Sequence, residues 1–139
     1  MKINLKRLNN AVHLEASNSE GNTVSIDGAP KIGGEGKGAR PMELLLMGLG
    51  GCSSMDILSI LSKQKVDLED FNIEIDADRD PENTPSLFTD INVIFRFKGK
   101  NLNFKKIERA VSLSMDKYCS VTKIMEKTAK ITHEIVIED

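Results

Sequence analysis

The sequence contains no tryptophan, one tyrosine (Tyr118), two cysteines and two histidines in 139 residues. Each shortage excludes something. With so few aromatic rings there is no platform for stacking bases. The 19 basic and 21 acidic side chains leave a net charge of −2, not the basic face of a nucleic-acid binder. Two cysteines are too few for a disulfide scaffold, and a chain of this length does not need one. Cys52 and Cys119 are too far apart for a CxxC motif, and His13 and His133 build no Cys/His cluster. No structural zinc site and no bound cofactor are therefore expected. No uninterrupted apolar run reaches the ~18 residues that suggest a membrane span. The opening Met1-Lys2-Ile3-Asn4-Leu5 carries a charge without the apolar stretch of a secretory signal. The expected setting is the cytoplasm, where a bonded cysteine pair is transient and catalytic.

What is present suits a single α+β domain over residues 1–139, with a hydrophobic fraction of 40% for a core and a charged fraction of 29% for a surface. Residues 1–30 read as three short strands in a meander: Ile3/Leu5, Val12/Leu14 and Val24/Ile26 keep strand parity, with turns at Asn9-Asn10 and Glu20-Gly21-Asn22. Residues 31–40 hold four glycines and form a loop, read as a flexible flap. The loop lacks the GK[ST] ending of a phosphate-binding loop. Residues 41–139 form a helix–sheet body. Pro41 suits a first helical turn, and from Met42 to about Lys65 the chain reads as a long helix, apolar almost all round its first half. Such a helix is buried on every face, so a second copy of the chain is expected against residues 44–61. Gly48, Gly50 and Gly51 each cost about 1 kcal/mol against alanine in a helix interior, which points to a close backbone approach there. Two period-2 strands follow, Leu68–Asp78 and Phe88–Lys98; then a helix capped by Asn103, a short helix from Ser120, and a terminal strand through Ile131, His133, Ile135 and Ile137. The order is β-β-β-α-β-β-α-α-β.

The chemistry rests on the two cysteines. If the fold brings them together, one thiolate attacks and the other resolves; if not, they are two small buried side chains. A free thiol has a pKa near ~8.5, and apolar burial raises it. Cys52 lies three turns into its helix, too deep to use the dipole strongly, so it needs a cation. Arg40 is the nearest in sequence, although a helix rise of about 1.5 Å per residue puts the helix start some ~15 Å from Cys52. Glu43 either orients Arg40 or simply compensates the dipole of the first turn. Asp56 either pairs with a base of the partner chain or marks the solvated side of the helix. Cys119 opens a helical segment and has its amides at hand. Neither histidine is assigned a role.

The run Pro41-Met42-Glu43-Leu44-Leu45-Leu46-Met47-Gly48-Leu49-Gly50-Gly51-Cys52, followed by Cys119-Ser120-Val121-Thr122 and preceded by Ser25-Ile26-Asp27-Gly28, resembles the OsmC/Ohr family of osmotically inducible and organic hydroperoxide resistance proteins, and most of all its OsmC-like branch. The resemblance implies an intertwined homodimer with two long central helices crossing at its middle and active sites at the subunit interface. It implies that Cys52 is the peroxidatic cysteine and Cys119 the resolving one, with no cofactor and an external dithiol, such as a lipoylated protein, as reductant. The family's peroxidases carry a glutamate directly after the proline, where this chain has Met42 with Glu43 one residue later. They also use an arginine from the early strands; its place falls near Ser19, and no arginine lies between Arg7 and Arg40. The leading expectation is thiol-dependent reduction of an organic hydroperoxide through Cys52, Cys119, Arg40 and Glu43. The other is a non-enzymatic protein that binds a small apolar ligand, or a stress-related protein with inert thiols.

Overall fold

The computed structural model describes residues 1–138. The chain divides into two compact units, Met1–Met47 and the remainder from Gly48 onward. In the first unit, strands β1 (Asn4–Arg7), β2 (Leu14–Ser17) and β3 (Thr23–Ile26) form an antiparallel meander in chain order. Its first turn does not use the positive φ that asparagine tolerates. Instead the Asn9 side-chain oxygen accepts the amides of Ala11 and His13, and the Arg7 guanidinium donates to the carbonyls of Asn10 and Ala11. Leu5 and Val24 of this sheet are exposed within the chain.

The glycine-rich loop is tied down, contrary to the flexible flap read from its composition. Asp27, nearly fully buried, follows β3 and turns its carboxylate onto the loop. One oxygen accepts the Gly28 amide at 2.8 Å; the other accepts the amides of Glu35 and Lys37, each at 3.0 Å. Two of the glycines, Gly34 and Gly38, serve packing. A Cβ on Gly34 would stand 1.7 Å from the Gly28 carbonyl oxygen, and one on Gly38 would stand 2.5 Å from the Ser25 carbonyl. Only glycine allows the strand end and the loop to lie that close.

Helix α1 (Pro41–Lys63) begins with a capping arrangement: Glu43 reaches back to accept the Arg40 amide at 2.8 Å, with Pro41 in the first helical position. It ends two residues before the Lys65 expected from periodicity, because Lys65 takes a left-handed φ of 57°. The Val66 amide then bonds the Leu61 carbonyl and the Lys65 amide the Ser62 carbonyl, a Schellman ending normally marked by glycine.

In the second unit, β4 (Asp70–Arg79), β5 (Phe88–Lys98) and β6 (Lys130–Glu138) make a three-stranded sheet with β5 in the middle. β4 pairs with β5 antiparallel; β6 pairs with β5 parallel, which requires the crossover supplied by α2 (Phe104–Leu113) and α3 (Ser120–Met125). Alternate residues of β5, namely Ile91, Val93, Phe95 and Phe97, are fully buried. Asn103 caps α2 as its sequence suggests, its side chain accepting the Lys106 amide. Between α2 and α3 lies a π-turn, Ser114–Tyr118, with no signature in the sequence.

Within its own chain α1 buries a single stripe. Only Leu49, Ser53, Ile57 and Leu61, spaced by four, are buried, while Leu45, Met47, Met55 and Leu58 remain exposed, Met55 at 71%. Gly50 lies under β4, where a Cβ would meet Ile75 at 3.2 Å, but Gly48 and Gly51 face open space. By length and composition α1 could also cross a membrane, a test that the core helix of a soluble protein passes equally.

The Asp27 clamp has a pH signature. Its three backbone hydrogen bonds, from Lys37, Glu35 and Gly28, hold the carboxyl below its ordinary value near 3.8. A lowered carboxyl contributes stability that is complete above the unfolded-state value and is lost as pH falls through the folded-state value. The Glu35 and Lys37 amides are therefore expected to lose hydrogen-exchange protection when the solution is acidified below about pH 4. Asp27→Asn, which keeps one acceptor oxygen, should lose that protection already at neutral pH.

Candidate active site

The second unit gathers three side chains. The sulfurs of Cys52 and Cys119 and a carboxylate oxygen of Asp56 all lie within 4.8 Å of one another. Their placement follows from local rules. Cys52 and Asp56 are four residues apart on α1, one turn along the same face. Cys119 arrives from the other side of the chain through the π-turn, whose last bond runs from the Cys119 amide to the Ser114 carbonyl at 2.8 Å. Cys119 then serves as the N-cap of α3: its sulfur accepts the Thr122 amide at 3.4 Å. The expectation that Cys119 opens a helix and meets its amides is met in this form.

Ser114 links the two halves. Its hydroxyl donates to Asp56 Oδ2 at 3.0 Å and lies 3.4 Å from the Ser53 carbonyl oxygen of α1. Within the chain Asp56 does not mark a solvated face; it is half-buried, hydrogen-bonded and beside both sulfurs. Ser114 carries no signal in the sequence. Asp56 does carry one, its i+4 spacing from Cys52.

The two sulfurs differ. Cys52 is partly exposed and Cys119 is fully buried. Burial pushes the Cys119 thiol above its ordinary value near 9.0; the Thr122 hydrogen bonds pull the other way, and the neighbouring Cys52 adds to the rise. A hollow of about 440 Å³ opens beside the cluster, lined by Met55, Asp56, Ile60, Lys63, Leu113 and Tyr118.

The other two residues singled out from sequence, Arg40 and Glu43, belong to the first unit. Glu43 is engaged by the Arg40 backbone amide, not by its guanidinium, so its visible work is to cap α1.

Comparison with known proteins adds three kinds of likeness. A family model described as OsmC-like protein matches residues 34–134. Protein YhfA of Escherichia coli K12 is 44% identical over 97 residues, covering 70% of this chain and 72% of that protein. The crystal structure of a hypothetical protein from Aquifex aeolicus is 31% identical with a TM-score of 0.79, covering 99% of this chain and 97% of the other. An organic hydroperoxide resistance protein OsmC from Legionella pneumophila has a TM-score of 0.67 at 18% identity, covering 98% and 97% of the two chains, and shares the fold.

The geometry sets an order of reactivity. At neutral pH, with limiting alkylating reagent, Cys52 should be modified well before Cys119. Mild oxidation of the unmodified chain should then give an intrachain Cys52–Cys119 disulfide, read by peptide mass spectrometry as the loss of two hydrogens. Equal labelling of both thiols, or a disulfide found only between chains, would contradict this geometry.

Proposed function

The chain belongs to the OsmC-like family, and from that premise we propose that it reduces organic hydroperoxides, with Cys52 as the attacking and Cys119 as the resolving thiol. The carrying observation is the closeness of the two sulfurs, one partly open and one buried. The Cys52 thiolate attacks the terminal peroxide oxygen and the O–O bond breaks. The alkoxide takes up a proton and leaves as an alcohol, while Cys52 becomes a sulfenic acid. The Cys119 sulfur attacks that sulfur; its proton and the hydroxyl depart as water, and a disulfide remains. An external dithiol returns both thiols. The apolar side chains of the hollow beside Asp56 suit the organic part of such a substrate. Arg40 is our candidate for the cation that the thiolate needs. The work belongs to a peroxide-resistance or stress response in the cytoplasm.

A second reading has its own support. Burial holds the Cys119 thiol above its ordinary value, which favours a protein that holds a small apolar ligand, or a stress-related protein, with its thiols left inert. A peroxide-consumption assay with a dithiol reductant separates the two. On the peroxidase reading Cys52→Ser should lose about 10³-fold or more of the rate. Cys119→Ser should stop after a single turnover with Cys52 held as sulfenic acid, and Arg40→Ala should slow the reaction and move its pH profile to higher pH. A wild-type protein that consumes no organic hydroperoxide leaves the ligand-binding reading standing.

The active assembly is a homodimer built on α1. Its exposed leucines and methionines, with Gly48 and Gly51 open for close backbone approach, are the features that support this. Light scattering in detergent-free buffer should give twice the 15.4 kDa of one chain at micromolar concentration. A stable, folded monomer under those conditions would refute the dimer.

A further inference from the structure

We propose that Cys52 Sγ, the Asp56 carboxylate and Cys119 Sγ form a binding site for a thiophilic divalent cation, for which zinc is the natural fit. The inference goes beyond the peroxidase reading and does not depend on it. The donor set is two soft sulfurs and one carboxylate, all within 4.8 Å. Around a tetrahedral zinc ion, with Zn–S near 2.3 Å and Zn–O near 2.1 Å, such donors stand roughly 3.6–3.8 Å apart. About 1 Å of closure from the upper bound of their spacing would bring them onto an ion.

Three further features suit a metal. Cys52 and Asp56 have the i, i+4 spacing by which a single helix turn offers two ligands to one ion. The outer groups that orient ligands are in place: the Ser114 hydroxyl donates to Asp56 Oδ2 at 3.0 Å, and the Thr122 amide donates to Cys119 Sγ at 3.4 Å. Cys52 is partly exposed, so a fourth position remains open to water or a small anion. Composition argues against zinc because there are only two cysteines and no histidine near them; the fold adds the missing ligand from Asp56.

Binding is not a redox event. The ion displaces the two thiol protons, which pass to the buffer. The metal-bound and disulfide forms exclude each other, so oxidation of the pair would release the ion.

The test is anaerobic titration of the reduced, chelator-stripped full-length protein with Co²⁺. Expected are sulfur-to-cobalt charge-transfer absorption saturating at one ion per chain, release of two protons per ion, and displacement by Zn²⁺. Cys52→Ser and Cys119→Ser should each abolish the band. Ser114→Ala, which removes an orienting partner, should weaken binding about tenfold, and Asp56→Asn, which removes a ligand, by more. Circular dichroism checks that each variant folds; if Asp56→Asn does not, Asp56→Glu, which keeps the carboxylate, should bind cobalt with a shifted spectrum. The protein pre-oxidised to the disulfide should not bind until it is reduced. Absence of the band up to millimolar Co²⁺, its survival at full strength in Cys52→Ser or Cys119→Ser, or an unchanged affinity in Asp56→Asn would overturn the site. Peroxide consumption measured in chelator keeps the questions separate: activity without cobalt binding sinks the metal site alone, and cobalt binding without activity sinks the peroxidase reading alone.

Discussion

One serine holds the site together. Ser114 offers its carbonyl to the Cys119 amide and its hydroxyl to Asp56, with the Ser53 carbonyl also in reach. Each bond is ordinary; a net contribution of about 1 kcal/mol is typical, somewhat more to a charged acceptor. Their arrangement matters more than their sum. They join the end of the α2 region to the middle of α1, and they do so where one sulfur approaches from each side. The sheet supplies the rigid backing: β5, with four fully buried apolar residues, fixes the start of the α2–α3 crossover that returns as β6.

α1 shows how a sequence can be apolar on all sides and yet bury only one stripe within its own chain. The spacing by four of Leu49, Ser53, Ile57 and Leu61 selects the inward face. Two of the chemical residues, Cys52 and Asp56, sit beside that stripe, partly reachable from outside. Had they been on the stripe they would be sealed; opposite it, they could not meet Cys119. Leucine and methionine on the remaining faces leave a surface that water solvates poorly.

Much of the fold was legible in the sequence because the signals were local. The period-2 runs of β4 and β5, the Asn103 cap and the order of all nine main elements depend on neighbours a few residues away, and the structure keeps them. Three features depended on distant or unsignalled contacts and were not legible. The Asp27 clamp needs a carboxylate to meet amides eight and ten residues on, so the glycines alone suggested mobility. The end of α1 uses a lysine where glycine would have announced it. The role of Asp56 requires Ser114, 58 residues later, which no periodicity reveals. Of the site, the two cysteines stood out by residue type, and the fold brings their sulfurs within 4.8 Å of each other. Glu43 accepts the backbone amide of Arg40, three residues before it, as a glutamate in the first turn does in a capping box.

The π-turn at Ser114–Tyr118 gives the chain an unusual sensitivity to its own length. A π-turn contains one residue more than the α-helical turn it replaces. Removing a single residue there would let the helix run on with regular bonding, and Cys119 would be swung by about 100° around the axis. Every side chain needed for the chemistry would still be present in the sequence, yet the two sulfurs would no longer face each other. Comparison by composition would score such a shortened relative as intact. What it would have lost is phase: the count of residues across this stretch, more than their identity, keeps the second thiol on the same side as the first.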